Sequence, residues 1–129
     1  MDLVEFLRDR LARDEQIAQA CAGAPWTATP AGTINTGGED EDAGEPVFVA
    51  TAENGAYAEH IARHDPSRTL REVAAARQII DDYEKETWIL GRGNRNPGAE
   101  AAHAARESVL RLLALPYAAH PAYQEKWRP

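Results

Sequence analysis

Three runs of sequence decide the fold class: Trp26-Thr27-Ala28-Thr29, Thr33-Ile34-Asn35-Thr36 and Pro46-Val47-Phe48-Val49-Ala50-Thr51. Each is short and rich in β-branched or aromatic residues, the composition of strands. Pro30-Ala31-Gly32 separates the first two, and the glycine-bounded acidic run Gly37 to Gly44 separates the second from the third. These breakers read as turns, so residues 26–51 are expected to form a small antiparallel three-stranded meander. Three short strands are near the minimum for stability, so the sheet needs a helix to pack on.

The flanking sequence supplies helices. Residues 1–21 read as an amphipathic helix, with Leu3, Phe6, Leu7, Leu11, Ile17, Ala18 and Cys21 on one face. Asp2 and Glu5 are spaced as a capping box, and Cys21 is expected to be a buried small hydrophobe. Residues 54–115 read as a helical region. Asn54-Gly55 opens a short helix to His64. Asp65-Pro66 then places an N-cap and a first-turn proline before a helix that runs to Leu90, with Gly91 as its C-cap. Its stripe is Leu70, Val73, Ala76, Ile80, Tyr83, Thr87 and Leu90. A last helix, Ala99 to Leu115, is expected to turn Ala102, Ala105, Val109, Leu112 and Leu113 inward. The two long helices would form an αα-hairpin. Tyr117, Tyr123 and Trp127 make 116–129 an aromatic tail that packs back on the core, and the three tryptophans read as core anchors. The expectation is one domain over 1–129, α+β and mainly helical.

Composition narrows the function classes. Leu, Ile, Val and Phe number only 22 of 129 residues, against 25 Ala. A core this thin calls for tight helix packing or a partner chain. No run approaches the ~18 apolar residues of a membrane span. The acidic start Met1-Asp2-Leu3-Val4-Glu5 lacks the features of a signal peptide, so a cytoplasmic setting is expected. With Cys21 the single cysteine, no intrachain disulfide can form. The net charge of −7 divides into −9 over residues 1–65 and +2 over 66–129. That balance disfavours nucleic acid as a partner.

Three groups of residues are candidates for chemistry. His60 and His64 stand one helical turn apart with Asp65 adjacent, a spacing that permits zinc, in a metal-binding module or a metal-dependent hydrolase, if Glu59, Asp65, His103 or His120 adds a third ligand. Ile61 occupies the place of the Glu in the H-E-x-x-H pattern. Arg92 and Arg95 lie in a Gly- and Asn-rich connection ahead of a helix start, which suits a small anionic ligand or nucleotide. The run Glu39-Asp40-Glu41-Asp42 is a candidate face for a basic partner. Ser67 and Ser108 lack a glycine elbow. No catalytic constellation is legible, and the reading leans toward a non-enzymatic, self-associating protein, a dimer first.

Three blocks carry a family resemblance. They are Phe6-Leu7 to Asp14-Glu15 with Pro25-Trp26, Ala58-Glu59-His60-Ile61-Ala62-Arg63-His64-Asp65-Pro66 leading into Leu70-Arg71-Glu72-Val73, and Leu110 to Ala118 with His120-Pro121 and Trp127-Arg128-Pro129. Together they resemble a group of small actinobacterial and actinophage proteins classed as a domain of unknown function. More distantly the order is similar to Ead-type early phage proteins. The resemblance implies phage or prophage origin, an accessory role in the host cytoplasm and a host or phage protein partner. It brings no catalytic residues. Many of the group carry cysteines between the third and fourth helical segments, which could form a metal site with nearby histidines. Here Gly91 to His103 has none, and Lys126 stands where the group has an acid.

Overall fold

The computed structural model describes residues 1–21, 25–37 and 45–129. Its helices are α1 (Leu3–Gln19), α2 (Gly55–Arg63), α3 (Pro66–Gly91) and α4 (Pro97–Ala114). Its strands are β1 (Trp26–Ala28), β2 (Thr33–Thr36) and β3 (Val47–Thr51), and short 3₁₀ turns cover Leu115–Tyr117 and Glu125–Trp127. The fold is α+β and mainly helical, as the strand and helix patterns predict. The chain divides into two compact units, one of Met1–Arg13 with Val73–Pro129, the other of Asp14–Glu72.

In the Asp14–Glu72 unit the strands pair in the order β1-β2-β3, all antiparallel, with Trp26 opposite Thr36 and Thr33 opposite Thr51. A register shift at Ile34/Asn35 bends the β2–β3 ladder. The β1–β2 turn closes through Thr29 N–H to Thr33 O at 2.9 Å and Gly32 N–H to Thr29 O at 3.0 Å. Gly32 is required there. Its φ is +96°, and a Cβ would sit 2.7 Å from Ala52 O. Ala58 and Ala62 of α2 bury against Ile34, which is fully enclosed. Small side chains at i and i+4 let the helix lie close on the sheet. Asn54 caps α2 by accepting from Tyr57 N–H at 3.0 Å.

In the other unit Phe6, Leu7 and Leu11 of α1 meet Val73, Ala76 and Ile80 of α3, Leu110 and Ala114 of α4, and Trp127. The capping box is present: Asp2 N–H donates to Glu5 Oε2 at 2.9 Å, and Glu5 N–H to Asp2 Oδ1 at 2.8 Å. Asp2→Ala should therefore cost ~1 kcal/mol, read as a lower thermal midpoint; an unchanged midpoint would mean the box is idle. Five residues join α3 to α4, so α4 must double back. Tyr83 stacks on His103 at 4.8 Å, and Glu86 pairs with Arg106 at 3.3 Å. From the tail, Gln124 donates to Met1 O at 3.0 Å.

Several expectations are corrected. Cys21 is exposed because α1 ends at Gln19, two residues short of it, and Ile17 is exposed too. The left-handed residue after α3 is Gly93 (φ +94°), not Gly91, which is still helical. Helix α4 begins at Pro97 rather than Ala99, because Asn96 accepts from Ala99 N–H at 2.9 Å with Pro97 next in line. Its inward face is also different. Leu110 and Ala114 are buried, while Ala102, Ala105, Val109 and Leu112 point to solvent. Of the tryptophans, Trp127 is core, Trp26 is half-buried and Trp88 is 63% exposed.

Candidate functional site

His60 and His64 do share one side of α2, with ring centroids 4.4 Å apart. His64 Nδ1 lies 2.7 Å from His60 O. A carbonyl can only accept, so Nδ1 carries a proton, and in the neutral ring the lone pair is on Nε2. Asp65 is engaged elsewhere. It is buried, its Oδ2 accepts from Trp26 N–H at 3.1 Å and its Oδ1 from Arg68 N–H at 2.8 Å. Glu59 pairs with Arg63 at 2.9 Å. No group of three or more His, Cys, Asp or Glu among the described residues is arranged to hold a metal ion.

The loop arginines do not converge. Arg92 lies over the Trp88 ring at 4.7 Å, and Arg95 pairs with Glu100 at 3.0 Å. The acidic run Glu39-Asp40-Glu41-Asp42 lies outside the described residues.

Two clefts were not legible in the sequence. In the Asp14–Glu72 unit, one of ≈ 890 Å³ is lined by Trp26, Glu59, Arg63, Asp65, Arg68 and Arg71. Arg63 and Arg68 have acidic partners, Glu59 and Glu72. The signal was three arginines straddling Asp65-Pro66, at the end of one helix and the start of the next. In the other unit a groove of ≈ 960 Å³ is lined by Arg8, Tyr83, Glu84, Trp88, Glu107 and Lys126, among others. Arg8 pairs there with Asp81 at 2.9 Å and with Glu84, which holds its guanidinium above the ordinary arginine range. Burial, and then the Glu107 charge, pushes the Tyr83 phenol above its ordinary value.

The Tyr83 shift has a pH consequence. The folded state holds this proton more tightly than the unfolded chain. Its contribution is therefore complete below the ordinary tyrosine pKa near 10 and declines as pH rises from there through the folded value. Denaturant melts at pH 9 and 11 should show that decline, and Tyr83→Phe should lessen it. An equal decline in the variant would assign it to other groups.

Besides Trp88, the Met1–Arg13 and Val73–Pro129 unit turns apolar residues outward on and just after α4. Val109 is 39% exposed, Leu112 56% and Leu115, just beyond the helix, 39%. Fold and surface together define a small helical α+β protein with an apolar outer helix face. The chain belongs to the family of unknown function DUF6221, whose model matches residues 1–129. Neither a curated protein nor a solved structure matches it. Among the described residues, no helix is long and apolar enough to cross a membrane.

Proposed function

We propose that this chain is a non-enzymatic interaction protein that self-associates. The observation that carries the reading is the outer face of α4. Val109, Leu112 and Leu115 stand exposed in a chain with few large apolar residues. A thin core that leaves such residues outside gains more from a second copy than from water. Phage or mobile-element origin and a place in the host cytoplasm rest on the three sequence blocks above. The acidic run at 39–42 would add a contact for a basic host or phage partner. Light scattering on the full chain tests the reading. The average mass should rise toward that of a dimer with concentration, whereas a constant monomer mass would refute it.

A second reading, zinc on His60 and His64, is favoured by one observation. The His64 Nδ1 contact to His60 O leaves Nε2 as the available donor atom, the arrangement typical of ligating histidines. On this reading zinc raises the thermal midpoint of protein purified without a His tag, and His64→Ala removes the rise. No change with zinc would eliminate it.

A further inference from the structure

We propose that the open edge of β1 takes an extended acidic peptide of a partner protein as an added strand, its acidic side chain held by Arg71 and the neighbouring arginines. The site lies within the Asp14–Glu72 unit and is independent of self-association through α4.

The open edge follows from the ladder. In the order β1-β2-β3, β1 is paired on one side only. Gly37 N–H donates to Pro25 O and Thr29 N–H to Thr33 O, both at 2.9 Å. Those are hydrogen-bonded pairs, and such pairs alternate with open ones along an antiparallel ladder. Between them Trp26 faces Thr36, Thr27 faces Asn35 and Ala28 faces Ile34. Thr27 therefore bonds toward β2, whereas the N–H and C=O groups of Trp26 and Ala28 point away from it. The Trp26 N–H bears this out by donating to Asp65 Oδ2 at 3.1 Å. Among the described residues the other three groups, Trp26 O, Ala28 N–H and Ala28 O, have no partner. Such a row is a template for another strand.

The arginine-lined cleft runs along this edge. A Cβ on Gly55 would lie 2.8 Å from Pro30 O, and Asp65 meets Trp26, so α2 runs beside β1 in the opposite sense. Trp26 and Ala28 pack on the cluster of Ile34, Ala58 and Ala62. Residues opposite one another on adjacent strands share a face. In an added antiparallel strand, the residue opposite Ala28 would exchange both hydrogen bonds with it and turn its side chain toward Ala62. The residue two further on would donate to Trp26 O and turn its side chain toward Arg63, Arg68 and Arg71. Asp65 already holds the Trp26 N–H, so the pairing ends there.

Charge selects what that last side chain is. Arg63 pairs with Glu59, and Arg68 with Glu72 and with Arg63 O. Arg71 lines the same cleft and has no partner among the described residues, so all its N–H donors are available. The Asp65 carboxylate is occupied by two backbone N–H groups. A carboxylate from outside is the group that completes this end. The cleft of ≈ 890 Å³ has the size of a ligand site. In strand addition the main-chain bonds give affinity and the side-chain contacts give selection.

Amide NMR on the ¹⁵N-labelled full chain tests the proposal with a blocked peptide, acetyl-Ser-Thr-Val-Thr-Glu-Thr-Ser-amide. In the free chain the Ala28 amide should exchange with solvent at least about tenfold faster than those of Thr27 and Thr29. The peptide should shift the Ala28 amide and the Arg71 side chain, with a dissociation constant on the order of 1 mM. Arg71→Ala should weaken binding roughly threefold, and the same peptide with lysine in place of glutamate should bind more weakly still. Ala28→Pro deletes the outward N–H and none of the bonds to β2, which an edge strand tolerates. It should abolish binding with the helical circular dichroism unchanged. A protected Ala28 amide in the free chain would overturn the open edge. Binding undiminished by Ala28→Pro would overturn strand addition. No shift at Ala28 with millimolar peptide, or equal binding of the lysine peptide, would overturn the site.

Discussion

Phe6→Ala should lower the stability of its unit by about 3–5 kcal/mol. Phe6 has no exposed surface. Its ring lies 6.3 Å from Tyr117, 5.8 Å from His120, 5.9 Å from Tyr123 and 5.1 Å from Trp127, the first three edge-on. One residue of α1 thus holds the aromatic side chains of the whole tail. Removing it opens a cavity and leaves those rings without their shared neighbour. Native domains are stable by about 5–15 kcal/mol, so the loss is a large fraction of the total. A urea melt followed by circular dichroism reads the change. A cost below ~1 kcal/mol, under the range for a buried Phe, would mean the tail does not depend on Phe6.

Asp65→Ala should cost about 2–4 kcal/mol, the loss of an N-cap added to an unpartnered backbone N–H. The carboxylate caps α3 through Arg68 N–H and satisfies Trp26 N–H at the start of β1. Both are in the same unit, so one side chain ties the sheet to the helix start. Asp65→Asn retains a single acceptor oxygen and should cost about half as much. Equal costs for Ala and Asn would show that the negative charge matters more than the paired acceptors. Either variant is measured by denaturant melts.

Much of the fold was legible because local chemistry and tertiary structure agree. Thr33, Ile34, Val47 and Val49 favour strands, and Pro30-Ala31-Gly32 between the first two strands is a turn. Asp2 with Glu5, Asn54, and Asp65 with Pro66 all mark helix starts that form. What was not legible has a common cause. Helix α4 carries apolar residues in nearly every direction, so periodicity finds a stripe but does not choose which stripe faces in. Leu110 and Ala114 take the core, and Val109 and Leu112 are left outside. Asn96-Pro97 has the form of a cap and first turn, and α4 starts there, two residues ahead of Ala99. Cys21 continues the apolar spacing of α1 but lies two residues beyond its end, so the spacing does not bury it.

The candidate residues were less legible than the fold. The His60–His64 spacing correctly predicts that both rings share a side of α2, but not that Asp65 turns away to cap α3. Arg92 and Arg95 are near each other in sequence, yet each side chain finds its own neighbour, Trp88 and Glu100. The arginine-lined cleft joins residues from β1, α2 and α3; the sequence shows the three arginines around Asp65-Pro66 but not that β1 meets them.

The central claim is that the outer face of α4 meets a second copy. A dilution series of amide NMR spectra on ¹⁵N-labelled full-length chain tests it most directly. The account predicts concentration-dependent shifts concentrated at Ala101, Ala105, Val109, Leu112 and Leu115. Shifts centred instead on β3 around Phe48, or a spectrum that does not change with concentration, would contradict it.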